Sequence, residues 1–183
     1  MKPVVKIKDK TFEKFITNDE ISARVKELAK EIDHDLAGKN PLFVVVLNGA
    51  MFFAVDLFLN ITIPAEITST RLKSYAGTKS TGTIKTIMPL QEDIADRTVV
   101  IVEDIVDSGA TIERIIKQVK DLGAAEVHTA ILLFKKEACK IPDLKLNYLG
   151  FTVPDKFVIG HGFDYDEQGR NLPDIYALKE GSR

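Results

Sequence analysis

The sequence predicts an α/β fold: a central, mostly parallel, twisted sheet flanked by helices. Two observations carry this expectation. Apolar runs with no polar alternation recur at residues 42–47, 99–102 and 129–134, the pattern of strands buried on both faces. The first two of these runs pass through a short turn into a segment of helical spacing, and such βα alternation leads to parallel neighbours joined by crossover helices.

Taken in order, Thr17-Asn-Asp-Glu20 has the form of a capping box and opens a helix whose apolar face is Ile21, Val25, Leu28, Ala29, Ile32 and Leu36. Pro41 precedes the strand at 42–47, which breaks at Asn48-Gly49 and runs straight into a helix over 50–59. A strand at 65–75 and a polar loop at 76–82 follow, then a strand at 98–102 and a helix on the pattern Ile112, Ile115, Ile116, Val119. After a strand at 126–134, residues 147–153 and 175–178 read as short later strands, with Pro154-Asp155 as a turn between segments.

Length and composition bound the possibilities. With 183 residues, 45% of them apolar, the chain can build one sizeable core but not two comfortable domains, so one domain over 1–183 with a small appendage is expected. A net charge of −2 argues against a broad basic face, and no nucleic-acid partner is expected. Cys139 is the one cysteine, which excludes an intrachain disulfide and fits a reducing, cytoplasmic setting. The strongest apolar segment, 42–47, is far too short to cross a bilayer, so no membrane partner is expected. His34, His128 and His161 lie far apart without metal-ligand spacing. Neither a Ser-His-Asp arrangement, a Walker loop nor a dinucleotide fingerprint is present.

Residues 99–111, Val-Val-Ile-Val-Glu-Asp-Ile-Val-Asp-Ser-Gly-Ala-Thr, join a buried strand, three carboxylates and a turn of small residues ahead of a helix. Ligands on open α/β sheets bind at the carboxyl ends of strands. The chain is expected to leave the core where Glu103 and Asp104 begin. Backbone N–H groups from Asp107, Ser108, Gly109, Ala110 and Thr111, with the positive end of the helix, can converge on one phosphate, and Ser108 and Thr111 add hydroxyls. Ionised carboxylates only accept hydrogen bonds. Glu103 and Asp104 therefore suit the vicinal hydroxyls of a ribose, or a hydrated Mg²⁺ carried by a diphosphate.

This strand-acid-acid-loop-Thr pattern resembles the diphosphoribosyl-binding motif of type I phosphoribosyltransferases. Further stretches, from about residue 10 to residue 178, narrow the resemblance to the hypoxanthine-guanine phosphoribosyltransferases. It implies the fold of that family, with a core over about 20–153 and a hood made from about 1–19 and 154–183. It also implies purine salvage: transfer of a 5-phosphoribosyl group from phosphoribosyl diphosphate to N9 of hypoxanthine or guanine, with Mg²⁺ required.

Site roles follow from the same resemblance. Asp107 is expected as general base and acid near N7 of the purine, and the 107–111 turn as the seat of the 5-phosphate. Glu103 and Asp104 are expected at the ribose and the metal. Arg71-Leu-Lys-Ser-Tyr75 followed by Ser80-Thr-Gly82 resembles the family's lid, with Ser74 and Tyr75 excluding water from a cationic transition state. Pro154-Asp-Lys-Phe-Val-Ile-Gly160, with Asp164-Tyr165 and Arg170, resembles the base- and diphosphate-binding segment. There Phe157 stacks on the purine, the Val158 backbone pairs with its edge, Ile105 lines the base site, and Asp164 helps hold a metal. Lys135, at the end of an apolar strand, is expected to donate to the exocyclic O6 and so to exclude adenine; its neighbour Lys136 is the alternative.

Asn48, Gly49 and Arg170 are the expected diphosphate contacts, although many relatives carry a lysine or arginine where this chain has Asn48. The resemblance implies a homodimer or homotetramer. Two alternatives are a nucleic-acid-binding regulator that senses phosphoribosyl diphosphate, and a transferase that prefers xanthine. The absence of an extra helix-turn-helix segment and the presence of Asp107 and Lys135 oppose the first.

Overall fold

The structure is a computed structural model that describes residues 3–74, 84–179 and 181. Its elements are β1 (Val4–Ile7), β2 (Lys10–Ile16), α1 (Asn18–Asp35), β3 (Leu42–Leu47), α2 (Met51–Phe58), β4 (Glu66–Ser74), β5 (Ile84–Met88), β6 (Thr98–Val106), α3 (Ala110–Asp121), β7 (Glu126–Phe134), β8 (Tyr148–Thr152), β9 (Val158–Ile159) and β10 (Ile175–Leu178).

Six strands form the central sheet in the order β5-β4-β3-β6-β7-β8. All neighbours pair in parallel except β5, which runs antiparallel to β4 at the edge. Period-two alternation sends the side chains of the central strands to opposite faces. Phe43, Val45, Val100, Val102, Ala130 and Leu132 pack with α1 and α2 on one side. Leu42, Val44, Val99, Ile101 and Ile131 pack with Ile112, Ile115 and Val119 of α3 on the other. The expected doubly covered, largely parallel sheet is therefore present.

α1 starts as its capping box dictates: the Thr17 hydroxyl accepts from the Glu20 N–H, and the Glu20 carboxylate accepts from the Thr17 N–H. α3 starts differently. Gly109 occupies its N-cap at φ 88°, a left-handed conformation open to glycine, and the side-chain contact comes from the residue before it: the Ser108 Oγ accepts from the Ala110 N–H at 3.4 Å.

One expectation needs correction. The strand expected to stop at residue 102 continues to Val106, because β7 pairs with it up to Phe134. Glu103 thus does not stand past the strand but is buried within it, 7% exposed. β1, β2, β5 and β9 are strands that the hydropathy pattern did not announce. The strand expected at 65–75 is found at Glu66–Ser74; Tyr75 and the expected loop 76–82 lie outside the described residues.

A second sheet of four antiparallel strands, β1-β2-β10-β9, joins the two ends of the chain above the strand ends. It is fastened through Asp174, whose side chain is fully buried between the N- and C-terminal segments. Its Oδ1 accepts from the Asn18 N–H at 2.8 Å, and its Oδ2 lies 2.8 Å from Lys14 Nζ. Burial alone would push this carboxyl up, but pairing with Lys14 and Asn18 outweighs it and holds the carboxyl below its ordinary value.

Candidate active site

The turn after β6 and the first turn of α3 enclose a cavity of about 210 Å³. Glu103, Ile105, Val106, Asp107, Ser108, Gly109, Thr111 and Ile112 line it. A helix leaves its first N–H groups without intrahelical partners, and those of α3 open onto this turn. Gly109 could not be exchanged for a larger residue: besides its φ, a Cβ there would stand 2.7 Å from the Ile141 side chain. The loop after β7 braces the turn from behind, with the Lys140 N–H donating to the Ser108 carbonyl at 3.0 Å. Four of the five residues of the expected phosphate turn, Asp107, Ser108, Gly109 and Thr111, line this one concavity; Ala110 does not.

Glu103 and Asp104 are adjacent carboxyls in a poorly solvated place. Burial, and then the neighbouring Asp104, push the Glu103 carboxyl well above the usual glutamate range, and its Oε2 has no hydrogen-bond partner. Burial also raises Asp104, against the opposing effects of Glu103, the backbone and Arg170. An orphaned carboxylate oxygen beside a second carboxyl is unfavourable in isolation and points to a missing donor or cation.

Among the described residues no group of three or more His, Cys, Asp or Glu side chains could hold a metal by itself. Mg²⁺, however, commonly takes one or two carboxylates and completes its shell with water and substrate phosphates. The Glu103-Asp104 pair fits that manner of binding.

Across the strand ends, the Leu47–Asn48 peptide is cis, and Gly49 follows it into α2. Gly49 packs directly against Asp104: a Cβ there would come within 1.7 Å of Asp104 Oδ2. Gly162, at φ 102°, in turn packs on Gly49, with its Cβ position 2.1 Å from the Gly49 carbonyl oxygen. Arg170 ties this arrangement together. Its Nη1 donates to the Gly162 carbonyl at 2.7 Å, and its Nη2 lies 2.7 Å from Asp164 Oδ1. The Asp164 Oδ2 accepts from the Glu167 N–H at 2.8 Å. Gly49, Asp104, Asp164 and Arg170 are thus brought close together, with Asn48 next to Gly49 in the chain; Gly162 lies with them and was not singled out by the sequence, although the crowding of Gly160 and Gly162 was a signal.

At the β7 end, Lys135 is buried while Lys136 is exposed, so only the first reaches the site. Lys135 Nζ lies 3.4 Å from Asp107 Oδ2 and 2.9 Å from Asp155 Oδ1. Phe157, 45% exposed, offers an aromatic surface supported from behind by Tyr165, edge-on at 5.9 Å, and by Phe12 at 6.2 Å. Val158 is buried at the start of β9. Ser74 ends β4, and Tyr75 lies outside the described residues.

A family model described as the phosphoribosyl transferase domain matches residues 14–168. A hypoxanthine-guanine phosphoribosyltransferase of Streptococcus pneumoniae is 39% identical over 166 residues, 90% of this chain and 92% of its own. A hypoxanthine-guanine-xanthine phosphoribosyltransferase of Tritrichomonas foetus is 37% identical over 162 residues, 88% of each chain. Among solved structures, a hypoxanthine phosphoribosyltransferase of Staphylococcus aureus superposes with a TM-score of 0.86 at 34% identity, covering 91% of both chains. Sequence, fold and the layout of the strand ends agree, and this chain belongs to the phosphoribosyltransferase family, among its hypoxanthine-guanine members.

Proposed function

We propose that this protein is a purine-salvage enzyme that transfers the 5-phosphoribosyl group of phosphoribosyl diphosphate to N9 of hypoxanthine, and of guanine, releasing diphosphate. The observation that carries the reading is the placing of Lys135 and Asp107 3.4 Å apart on the rim of the glycine-capped phosphate turn. A fixed ammonium for a 6-oxo group and a carboxylate for a proton stand together beside a seat for the sugar phosphate.

In the reaction the bond from the ribosyl carbon to the diphosphate oxygen breaks, and its electrons leave with the diphosphate. N9 of the base supplies the pair for the new bond, and the purine loses its N7 proton to Asp107. The turn 107–111 holds the 5-phosphate. Glu103 and Asp104 accept from the ribose hydroxyls and stabilise positive charge growing at the ribosyl carbon. Glu103 and Asp104, with Asp164 nearby, would hold Mg²⁺, which would supply positive charge for the leaving diphosphate.

Arg170 and the backbone at Asn48-Gly49 face the same diphosphate, with Arg170 providing the cation that Asn48 lacks. Phe157 stacks on the purine between Ile105 and the Val158 backbone, and Lys135 donates to O6. A 6-amino group would instead set a donor against that ammonium. Of the expected lid, Ser74 ends β4 and Tyr75 lies outside the described residues.

The parallel sheet then serves as the core of one domain, about 20–153, and the four-stranded sheet as a hood from about 1–19 and 154–183. A homodimer or homotetramer is in keeping with the apolar side chains α2 leaves exposed, Met51 at 45% and Val55 at 51%. A cytoplasmic setting fits the unpaired Cys139. No described helix is long and apolar enough to cross a membrane.

The test is product formation from phosphoribosyl diphosphate and Mg²⁺ with hypoxanthine, guanine, xanthine and adenine supplied separately. IMP and GMP without AMP are expected. Faster transfer to xanthine would reassign the base, and no nucleotide from any of the four would refute the reading.

A further inference from the structure

Three adjacent strands of the central sheet, β6, β7 and β8, end on the same rim. Register places Phe134 level with Val106 on one side and with Thr152 on the other. The Lys135 N–H donates to the Val106 carbonyl at 2.9 Å, and the Val153 N–H to the Phe134 carbonyl at 2.9 Å. Each strand therefore presents one charged residue just beyond its end: Asp107, Lys135 and Asp155. The ammonium in the middle is 92% buried, its side chain only 8% exposed, whereas the carboxylates on either side are more than half exposed.

We infer that Asp155 is a positioning residue for base recognition, holding Lys135 in place and keeping its charge from being spent on Asp107. The inference rests on the function proposed above, in which Lys135 donates to O6 and Asp107 takes a proton. A nearly buried ammonium requires an anion close by. Without Asp155 the remaining carboxylate at hand is Asp107, already 3.4 Å away, and a direct pair between them would occupy the donor meant for O6 and the acceptor meant for the proton.

Asp155, at 2.9 Å, makes the shorter of the two hydrogen bonds and keeps the one to Asp107 long at 3.4 Å, leaving a third N–H of Lys135 for another acceptor. The turn that carries Asp155, closed by the Lys156 N–H donating to the Pro154 carbonyl at 2.8 Å, also carries Phe157. One short loop thus orients the ammonium and the aromatic surface for the same base.

The experiment compares Asp155→Asn and Asp155→Glu with the unmodified protein in steady-state transfer, varying base and donor in turn. Asp155→Asn keeps the shape of an exposed turn residue and loses the charge. Its KM for hypoxanthine is expected to rise about 5–10-fold, the effect of weakening one hydrogen bond by exchanging a charged acceptor for a neutral one, while the KM for phosphoribosyl diphosphate stays within about twofold. Asp155→Glu is expected to recover most of the difference, and both variants to melt with the unmodified protein.

An unchanged hypoxanthine KM in Asp155→Asn overturns the inference. So does an equal loss for donor and base with a lowered Tm, which would mark a merely structural turn. If the unmodified protein transfers to no purine, the proposed function fails and the inference with it; if it is active and Asp155→Asn is indistinguishable from it, the inference alone fails.

Discussion

Replacing Gly49 by alanine tests the tightest contact in the site. Gly49 does not lie at positive φ, so alanine brings no backbone strain and the whole effect falls on Asp104. The new Cβ would stand 1.7 Å from Asp104 Oδ2, 2.6 Å from Cγ and 3.2 Å from Oδ1, where unstrained separations are about 3.5–4 Å. The carboxylate must therefore retreat by well over about an ångström, carrying an anchor of the ribose hydroxyls out of place.

Misplacement of a positioning group by about 1 Å costs on the order of 10²-fold in rate. Overpacking costs about 1–3 kcal/mol, or roughly 2–4 °C in Tm for each kcal/mol in a chain of this size. Steady-state kinetics with phosphoribosyl diphosphate varied at saturating hypoxanthine, alongside thermal unfolding, separate the two. A well-folded Gly49→Ala protein with unaltered kcat/KM for the donor would show that Asp104 does not work from the position seen here.

Other changes probe other parts of the site. Asp107→Asn should retain binding of the phosphoribosyl donor and slow transfer by about 10²-fold or more; unchanged turnover would remove Asp107 from proton transfer. Glu103→Gln should abolish most activity yet stabilise the fold. A carboxyl raised above its unfolded value binds more protons folded than unfolded, so its stability contribution is full below about pH 4 and is lost as pH rises through the raised value. The variant should thus melt higher than the unmodified protein near about pH 8 and almost together with it near about pH 4; the reverse trend would contradict the burial of Glu103. Lys14→Met should cost about 3 kcal/mol by leaving the buried Asp174 carboxylate without its cation, and adding Asp174→Asn should recover part of that in a thermal double-mutant comparison.

The central sheet was readable because its signals are local. β3, β7 and β10 have the bounds their composition suggested, and α1 starts at its capping box. β1 alternates only between exposed and half-buried positions and is held as a strand by the hairpin it makes with β2, while β9, with two residues, is a strand only because β10 pairs with it.

The same division runs through the site. The 103–111 segment announces itself in one stretch, as strand, acids, glycine and helix. The stacking of Gly162 on Gly49 and the meeting of Lys135 with Asp155 arise from register and from the second sheet, which no short window of sequence displays. Even the length of β6 was a tertiary effect: Ile105 and Val106 stay extended because Leu133 and Phe134 of β7 lie beside them.

The joining of β2 to β10 has a consequence for how the molecule comes into being. Asn18 and Asp174, whose hydrogen bond fastens the upper sheet, are 156 positions apart in the chain. Closing so long a loop carries an entropic cost that local contacts cannot defray, and structure that depends on it forms late. The parallel sheet, with Asp107 and the phosphate turn, closes much shorter loops, the longest being the one that pairs Leu42 of β3 with Val99 of β6. Phe157, Val158 and Arg170 reach their places only when the last strand docks. In refolding, a site able to hold a sugar phosphate should therefore arise before one able to choose a base.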